Sequence, residues 1–503
     1  MAGKSQRFYD AGYNIPKFLI NIFGRSMIAH VLNVFKDVDD ILVIVNESDY
    51  HNFNLGKILT DIRSGIKIAV IAPHSFGPSY SIQKASKEVS KSKKIIVHYC
   101  DFSGNWELSD VVDALDYYDG VYVGFEGFQP NRSLNATKFA YAKVNETNQL
   151  SEIKEKGSFT SNPELELASS GIYGFASGDI LIKAIEAQFQ SKLDINGEYY
   201  TSLTQSIMLK NSMKIYAISM KCFFGWGTPE DLEDYIYFSS IFKSLNQETY
   251  QTGLITHKVI ILSGGQSSRL KIAGEIPKQL KIIKNDSNLL DLSVELNSNI
   301  SNVYMVAVEN VYSAVNNYWN IPLNNLKILS HSSESQLATV QLGLELIQPK
   351  DCMVTFLASD NIVLLDELTA EIFLDSDITV WCASKYPVSR TNPNQYSWIK
   401  VSDENNVEET MYKSAPDGIW NWKIMTGNFT FKNSRILIEL IDKYKAEIGI
   451  RNHEPMLDDF IEFGLRSGLK IKAFDVGNFF TLGTKLENNL YDYFMSNLDF
   501  ISR

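Results

Sequence analysis

The feature that most constrains this chain is that it is written twice. The segment Ala2 to Leu19, AGKSQRFYDAGYNIPKFL, is answered after the midpoint by Gly264 to Leu280, GGQSSRLKIAGEIPKQL. Each holds a pair of small residues, then a Ser, an Arg and finally Ile-Pro-Lys-x-Leu. Further matches keep the same order: Ser170 to Phe175 with Thr426 to Phe431, Asn196-Gly197-Glu198 with Asn452-His453-Glu454, and Phe223 to Thr228 with Phe479 to Thr484. The offset drifts only from 262 at Gly3/Gly265 to 256 at Gly227/Gly483, as a duplicated unit with a few loop deletions would give. Any fold proposed for the chain must therefore be one domain's fold used twice. At 503 residues the chain also exceeds what one hydrophobic core serves. The expected domains are residues 1–245 and 255–503, with the boundary near residue 250 in the polar stretch Phe242 to Lys258.

Within each copy, short β-branched runs alternate with amphipathic stretches. In the first, Ile41 to Val45, Ile66 to Ala72, Ile95 to Tyr99 and Gly120 to Phe125 read as strands, and Met27, Ile28, Val31, Leu32 and Phe35 share one helical face. In the second, the strands fall at Val259 to Leu262, Val303 to Val308, Leu326 to Leu329, Met353 to Leu357 and Ile378 to Ala383. Helices are expected at Ile180 to Phe189 and Ile436 to Tyr444. Continuous apolar strands separated by helices predict a Rossmann-like α/β fold in each copy, a mainly parallel mixed sheet with helices on both faces. Ligands of such folds bind at the carboxyl ends of the strands.

Composition excludes several functions. A net charge of -12 repels polyanions, so nucleic acid is not an expected partner. The apolar runs are too short to span a bilayer, and the N-terminus has no apolar stretch of the secretory kind, so a cytoplasmic protein without membrane insertion is expected. Cys100, Cys222, Cys352 and Cys382 lack the close spacing of zinc or redox pairs, and the seven histidines lack ligand spacing. A homo-oligomer is compatible with the sequence.

The repeated loop carries the chemistry. Small residues let the backbone approach a ligand and leave N–H groups free for an anion. Each loop adds two cations, Arg7 and Lys17 in the first copy and Arg269 and Lys278 in the second. Cations beside an anion-binding turn suit a polyphosphate whose leaving oxygens gain charge during displacement.

On these residues, and on VHYCDFSGNW, EIKEKGSF, SSGIYGF, NGEYYTSL and GWGTPEDL in order after them, the first copy resembles the sugar-1-phosphate nucleotidyltransferase (pyrophosphorylase) family, in its capsule and lipopolysaccharide locus branch. The second copy resembles the same family less closely. The resemblance implies a magnesium-dependent phosphorus-transferring enzyme: a phosphorylated sugar or similar small molecule displaces pyrophosphate from an NTP, giving an activated precursor for a surface glycan. Ala2, Gly3, Lys4 and Ser5 would then cradle the NTP phosphates, and Gly77, Pro78, Ser79 and Tyr80 would lie at the base. Arg7 and Lys17 would neutralise the triphosphate, and Asp101 would hold Mg²⁺. Lys156 would hold the attacking phosphate, with Glu155, Gly171 and Glu198 binding the rest of the acceptor. In the second copy Gly264, Gly265, Arg269, Lys278, Lys413 and the metal candidate Asp360 take the matching places.

The departures are informative. The family's first strand immediately precedes the loop, as Lys258 to Leu262 does in the second copy, but the first loop stands at Met1. The expectation is that the first domain lacks that central strand, or borrows one, or that the chain starts upstream. The family's second metal-binding Asp is replaced by Gly225 and by Thr481, so one Mg²⁺ on Asp101 and the nucleotide is expected. In the second copy Tyr412 replaces Glu155 and Ser335-Gln336-Leu337-Ala338-Thr339 replaces the base-reading stretch, changes expected to alter or abolish acceptor recognition, so that this copy either serves a different substrate or binds a nucleotide without turning it over. The alternatives are a GT-A-type glycosyltransferase consuming an NDP-sugar, disfavoured because Asp101 is followed by Phe102-Ser103 where an Asp-x-Asp is wanted, and a catalytically degenerate nucleotide-binding protein.

Overall fold

The computed structural model describes residues 1–134, 139–247, 255–265, 280–284, 287–296, 300–315, 321–348, 351–365, 371–447 and 456–502. It forms two compact units, Met1–Ile236 and Tyr237–Arg503. The division falls inside the helix Pro229–Gln247, ahead of the polar segment near residue 250. Phe238 and Phe242 of that helix pack in the second unit's aromatic cluster with Phe480, Tyr491 and Phe494, mostly edge to face or tilted, with Phe242 stacked on Phe494.

In the first unit a short hairpin, β1 (Asn21–Ile22) and β2 (Arg25–Ser26), precedes the helix Met27–Val34, which buries Met27, Ile28, Val31 and Leu32 along one face. Strands β3 (Leu42–Asn46) and β4 (Lys67–Ile71) form a parallel pair. A six-stranded mixed sheet runs β11 (Ile215–Ser219), β7 (Gly120–Phe125), β10 (Leu167–Phe175), β8 (Ala140–Val144) and β9 (Leu150–Glu155), and β5 (Ile95–His98) also pairs with β10. A further pair joins β6 (Phe102–Gly104) to β12 (Phe223–Gly225). Every residue of β7 and β10 is buried, which is why β7 reads as an apolar run; β10 hides the same burial behind Ser169 and Ser170. Their alternation feeds two cores: Tyr122 and Tyr173 on one face, Val121, Val123 and Ile172 on the other. The helix Gly178–Gln190, capped by Ser177 accepting from the Ile180 amide at 3.2 Å, lays Leu181, Ala184 and Ile185 onto the first of these.

The second unit opens with β13 (Lys258–Ser263). Its nine-stranded sheet runs β17 (Leu326–Leu329), β16 (Val303–Val308), β13, β18 (Val354–Ala358), β23 (Trp422–Phe431), β20 (Ile378–Ala383) and β24 (Ile471–Asp475), with β21 (Trp398–Val401) and β22 (Val407–Met411) attached through β23. Small pairs join β14 (Ile282–Lys284) to β15 (Ser287–Asn288) and β19 (Asn361–Leu364) to β25 (Asn478–Thr481).

The duplication holds strand by strand: β1 to β12 of the first unit answer β14 to β25 of the second, with the same pairings. It also holds in detail. Asp119 accepts from the Lys214 amide and Asp377 from the Lys470 amide, both at 2.8 Å. Gly171 and Gly427 both take positive φ, as do Lys156 and Lys413. The odd strand out is β13, which runs parallel between β16 and β18. Among the described residues of the first unit nothing stands between the corresponding β3 and β5, so the sheet there is split into its two-stranded and six-stranded parts. The α/β sandwich expected from sequence is thus observed, with both parallel and antiparallel pairings because the long strands β10 and β23 run against their neighbours.

Candidate functional site

The candidate residues of the first unit gather at the carboxyl ends of β3, β5 and β9. At the end of β3, Asn46 caps the helix Glu47–Asn52 by accepting from the Asp49 amide at 2.8 Å, and its own amide reaches the Gly3 carbonyl at 3.5 Å. Gly3 is exposed, with nothing within 4 Å of where a side chain would begin. Ser5 takes a left-handed conformation (φ 51°) as the loop turns into the helix Gln6–Asp10, and its hydroxyl accepts from the Lys17 amide at 3.1 Å. One side chain therefore ties the loop to the Pro-Lys segment.

Lys17 then reaches Asp101, Nζ to Oδ2 at 2.6 Å, across 84 residues of sequence. Both side chains remain about one-quarter exposed. Burial alone would push both groups toward neutrality; their mutual attraction outweighs it, raising the Lys17 ammonium and lowering the Asp101 carboxyl. Behind them the Trp226 amide donates to the Asp101 carbonyl at 2.7 Å, and Gly227 lies where a side chain would begin 3.5 Å from the Asp101 carboxylate.

The second cluster stands at the end of β9. Lys156, at φ 55°, directs Nζ to the Tyr200 hydroxyl at 2.5 Å and to Glu198 at 3.4 Å, over the Tyr200 ring at 4.6 Å. Tyr200 in turn donates to Glu198. Glu155 accepts from Ser202, and burial, only partly offset by Ser202 and Lys156, pushes its carboxyl up. The exposed Arg7 guanidinium joins the clusters: it lies within electrostatic reach of both Lys17 and Tyr200. Arg7 is thus the residue whose charge is felt by a member of each cluster, Lys17 in one and Tyr200 in the other.

Other candidates have structural surroundings. Ser79 is fully buried and its hydroxyl bonds Thr204 at 2.9 Å, so its side chain is spent inside the fold. Gly77, at φ 86°, is needed because any side chain would begin 2.8 Å from the Tyr199 backbone. Tyr80 packs against His74 and Phe76. Gly171, at φ 95°, sits in the bulge of β10 directly under the Tyr99 ring, and its carbonyl accepts from the Tyr99 amide at 3.1 Å. Sequence reasoning missed Asn46, Tyr200 and Ser202; only the polar run NGEYYTSL, spaced by two from Glu198 to Ser202, carried a trace of the last pair.

In the second unit, the buried Gly264 accepts from the Ser333 amide at 2.9 Å, and Gly265 is exposed. The Leu482 amide donates to the Asp360 carbonyl at 2.9 Å, the same bond that Trp226 makes to Asp101. A cavity of about 320 Å³ is lined by Asn394, Gln395, Lys413, Gly483, Thr484 and Lys485. Arg269 and Lys278 lie outside the described residues. Among the described residues, no group of three or more His, Cys, Asp or Glu stands ready for a metal, and no helix is long and apolar enough to cross a membrane.

Residues 1–122 match the family described as MobA-like NTP transferase domain, and residues 258–479 match the family described as Nucleotidyl transferase. The chain carries two nucleotidyltransferase domains in tandem. No curated protein matches it. Among solved structures it is similar to a nucleoside-diphosphate-sugar pyrophosphorylase from Vibrio cholerae RC9, at 21% identity and TM-score 0.40 over 47% of this chain and 97% of that one. It is similar also to the inositol-1-phosphate CTP transferase from T. maritima, at 14% identity and TM-score 0.35 over 50% of this chain and 98% of that one. HddC from Yersinia pseudotuberculosis aligns at 19% identity and TM-score 0.34 over 44% of this chain and 90% of that one.

Proposed function

We propose that the first domain transfers a nucleotidyl group from an NTP to the phosphate of a sugar phosphate or a similar small molecule, releasing pyrophosphate and making an activated precursor for a capsule or lipopolysaccharide glycan. The observation that carries this reading is the pair of cationic clusters, Lys17 with Asp101 and Lys156 with Tyr200 and Glu198, each with one member that feels the charge of Arg7. An acceptor phosphate oxygen bonds to the α-phosphorus, the bond from that phosphorus to its bridging oxygen breaks, and the electron pair leaves on pyrophosphate. No covalent enzyme intermediate is needed, so alignment and charge neutralisation are what the protein supplies.

The roles follow from position. The Ala2–Ser5 backbone and Lys4 receive the triphosphate, Arg7 and Lys17 neutralise the departing oxygens, and Lys156 holds the attacking phosphate. Tyr200 and Glu198 keep the Lys156 ammonium in place, and the Glu155 carboxylate accepts from acceptor hydroxyls. Asp101, part-exposed and held ionised by Lys17, fits one ligand position of a Mg²⁺ ion, which takes hard oxygen donors. The ion, when bound there, would draw charge off the triphosphate.

The second domain supports a different acceptor. Tyr412 stands where Glu155 does, while Asp458, near Lys413, stands where Ser202 does, so the carboxylate moves from the strand to the helix Leu457–Arg466. Incubating the protein with Mg²⁺, each NTP and a panel of phosphorylated sugars and alcohols tests the reading. Pyrophosphate release that requires both an NTP and an acceptor phosphate is the expected result; NDP release from an NDP-sugar, or nucleotide binding without turnover, would overturn it.

A further inference from the structure

We infer that the ring of Phe76 is the platform on which the base of the NTP stacks in the first domain, so that this domain takes purine nucleotides ahead of pyrimidine ones and discriminates little within either class. Such a platform presupposes the nucleotidyltransferase reading above, and it moves base recognition off Gly77 to Tyr80. The serines around that stretch spend their polar groups within the fold. The Ser79 hydroxyl bonds Thr204 at 2.9 Å, and the Ser79 amide donates to the Tyr199 carbonyl at 3.0 Å. The Ser81 hydroxyl bonds the His74 ring at 2.9 Å, and the Ser81 amide donates to the Gly77 carbonyl at 3.4 Å. Groups so engaged do not read the hydrogen-bonding edge of a base.

Phe76, immediately before that stretch, is 49% exposed and yet firmly held. Its amide donates to His74 Nδ1 at 3.1 Å, and its carbonyl accepts from the Tyr199 amide at 2.8 Å. Its ring lies parallel to that of His74, 7° between planes with centroids 6.2 Å apart, and tilts against the Tyr80 ring at 4.9 Å. Tyr80 is backed by Phe189, which stacks on Tyr199 at 4.0 Å. A lone exposed Phe is ordinary on a protein surface. A half-open ring fixed at its own backbone and braced by a wall of other rings is a surface already ordered for stacking, so little entropy is lost when a base arrives.

Its place in the fold suits the role. β3 and β4 run in parallel, so their carboxyl ends lie on one side. Asn46, at the end of β3, reaches the Gly3 carbonyl, and the turn that carries His74 and Phe76 follows the end of β4. Burial, and behind it positive charges that include Lys4 of the Ala2–Ser5 loop, push the His74 imidazole toward its neutral form, so the ring beside Phe76 stands in the field of that loop. Tyr199, which holds the Phe76 carbonyl, directly precedes Tyr200 of the Lys156 cluster. In the second domain the helix Gln336–Leu346 matches Pro78–Lys84, and the residue before its cap Ser335 is Glu334, exposed and anionic. The platform has no counterpart at that position.

The test places a reporter at this position. Phe76→Trp is made in the full chain, and its emission is read as the difference from the unsubstituted protein. ATP, GTP, CTP, UTP and inorganic tripolyphosphate are titrated in turn with Mg²⁺, and calorimetry is run in parallel on the unsubstituted chain and on Phe76→Ala. Every NTP is expected to quench the added emission by at least about half, while tripolyphosphate, which has no base, leaves it unchanged. Phe76→Ala is expected to weaken one NTP site at least about fivefold, more for the purines, without changing the affinity for tripolyphosphate. NTP affinity unchanged in Phe76→Ala, quenching by tripolyphosphate equal to that by an NTP, or a preference above about tenfold between ATP and GTP or between CTP and UTP would each overturn the platform. Absence of NTP binding to the unsubstituted chain would instead overturn the nucleotidyltransferase reading, and the platform with it.

Discussion

The two domains diverge in opposite parts. The first has the cluster of Glu155, Lys156, Glu198 and Tyr200 proposed to hold the acceptor but has a sheet open between β3 and β5; the second has the continuous nine-stranded sheet but carries Tyr412 in place of Glu155 and Thr481 where the first has Gly225. Sheet completeness and site chemistry have thus varied independently, as expected when a site is built from loops and strand ends on a shared scaffold. Among the elements the two copies share is the scaffold bond at the strand-end aspartate, made by Trp226 in one copy and Leu482 in the other.

The sharpest way to break this contrast is to ask which copy turns over. Lys17→Ala and Asp101→Ala are each expected to lower acceptor-dependent pyrophosphate release by about a thousandfold, the size of a lost transition-state charge contact. Melting should fall only modestly, by the equivalent of about 1–3 kcal/mol, because each change leaves the other, three-quarters-buried charge without its partner. Lys278→Ala and Asp360→Ala should leave that activity in place. If only the second pair abolishes release, the first domain is not the catalyst for the acceptor tested.

A second contrast concerns the equivalent glycines. Gly171→Ala forces a side chain into a φ of 95° and to 2.9 Å from the Tyr99 ring, whereas Gly427→Ala meets only Ala358 at 3.5 Å at a φ of 83°. Backbone strain alone costs roughly 1–2 kcal/mol and overpacking a further 1–3. Denaturant titration should therefore show the transition of the first domain weakened by roughly 3 kcal/mol and that of the second by about half as much. Equal losses would mean that the Tyr99 ring moves aside freely.

Much of this was legible beforehand because burial on both faces leaves a plain record. β7, β16 and β20 have the bounds their apolar runs suggest, and Lys17 and Asp101, named from motifs far apart in sequence, form an ion pair. What was hidden are polar residues placed inside. Ser202, Thr204 and Gln205 are fully buried on the helix Thr201–Lys210, so TSLTQS has no apolar stripe to announce a core helix. The domain division was hidden for a related reason. The run DLEDYIYFSSIFKSLNQ is one continuous helix, and only its aromatic partners show that Phe238 and Phe242 belong with the second unit.

Tyr200 sharpens the comparison within the acceptor site. Tyr200→Phe removes the hydroxyl that bonds Lys156 and Glu198 while keeping the ring beneath the ammonium. A positioning role predicts a rise of about tenfold in KM for the acceptor, the size of one charge-assisted hydrogen bond, with the KM for NTP unchanged. A matching rise for NTP would place Tyr200 on the nucleotide side. Lys413, stacked on Tyr412 in the second domain, has its aromatic partner one residue away in sequence, so Tyr412→Phe there should not reproduce the effect.

The smallest expected effect separates the two carboxylates of the first domain by pH. Burial raises Glu155, and Ser202 and Lys156 only partly restore it; Asp101 is lowered because Lys17 outweighs its burial. On acidification Glu155 therefore takes up its proton first, while Asp101 is still ionised. The acceptor KM should rise by about two- to threefold before NTP binding changes, and Glu155→Gln should flatten that acid limb while leaving the NTP profile intact. The stability signs are opposite as well. Asp101, lower when folded than when unfolded, stabilises above its unfolded value, and that contribution is lost as pH falls through its folded value. Glu155, higher when folded, becomes less destabilising as the pH falls through its folded value toward its unfolded one. An acid limb that appears first in NTP binding, or that survives Glu155→Gln, would exchange the roles assigned to the two groups.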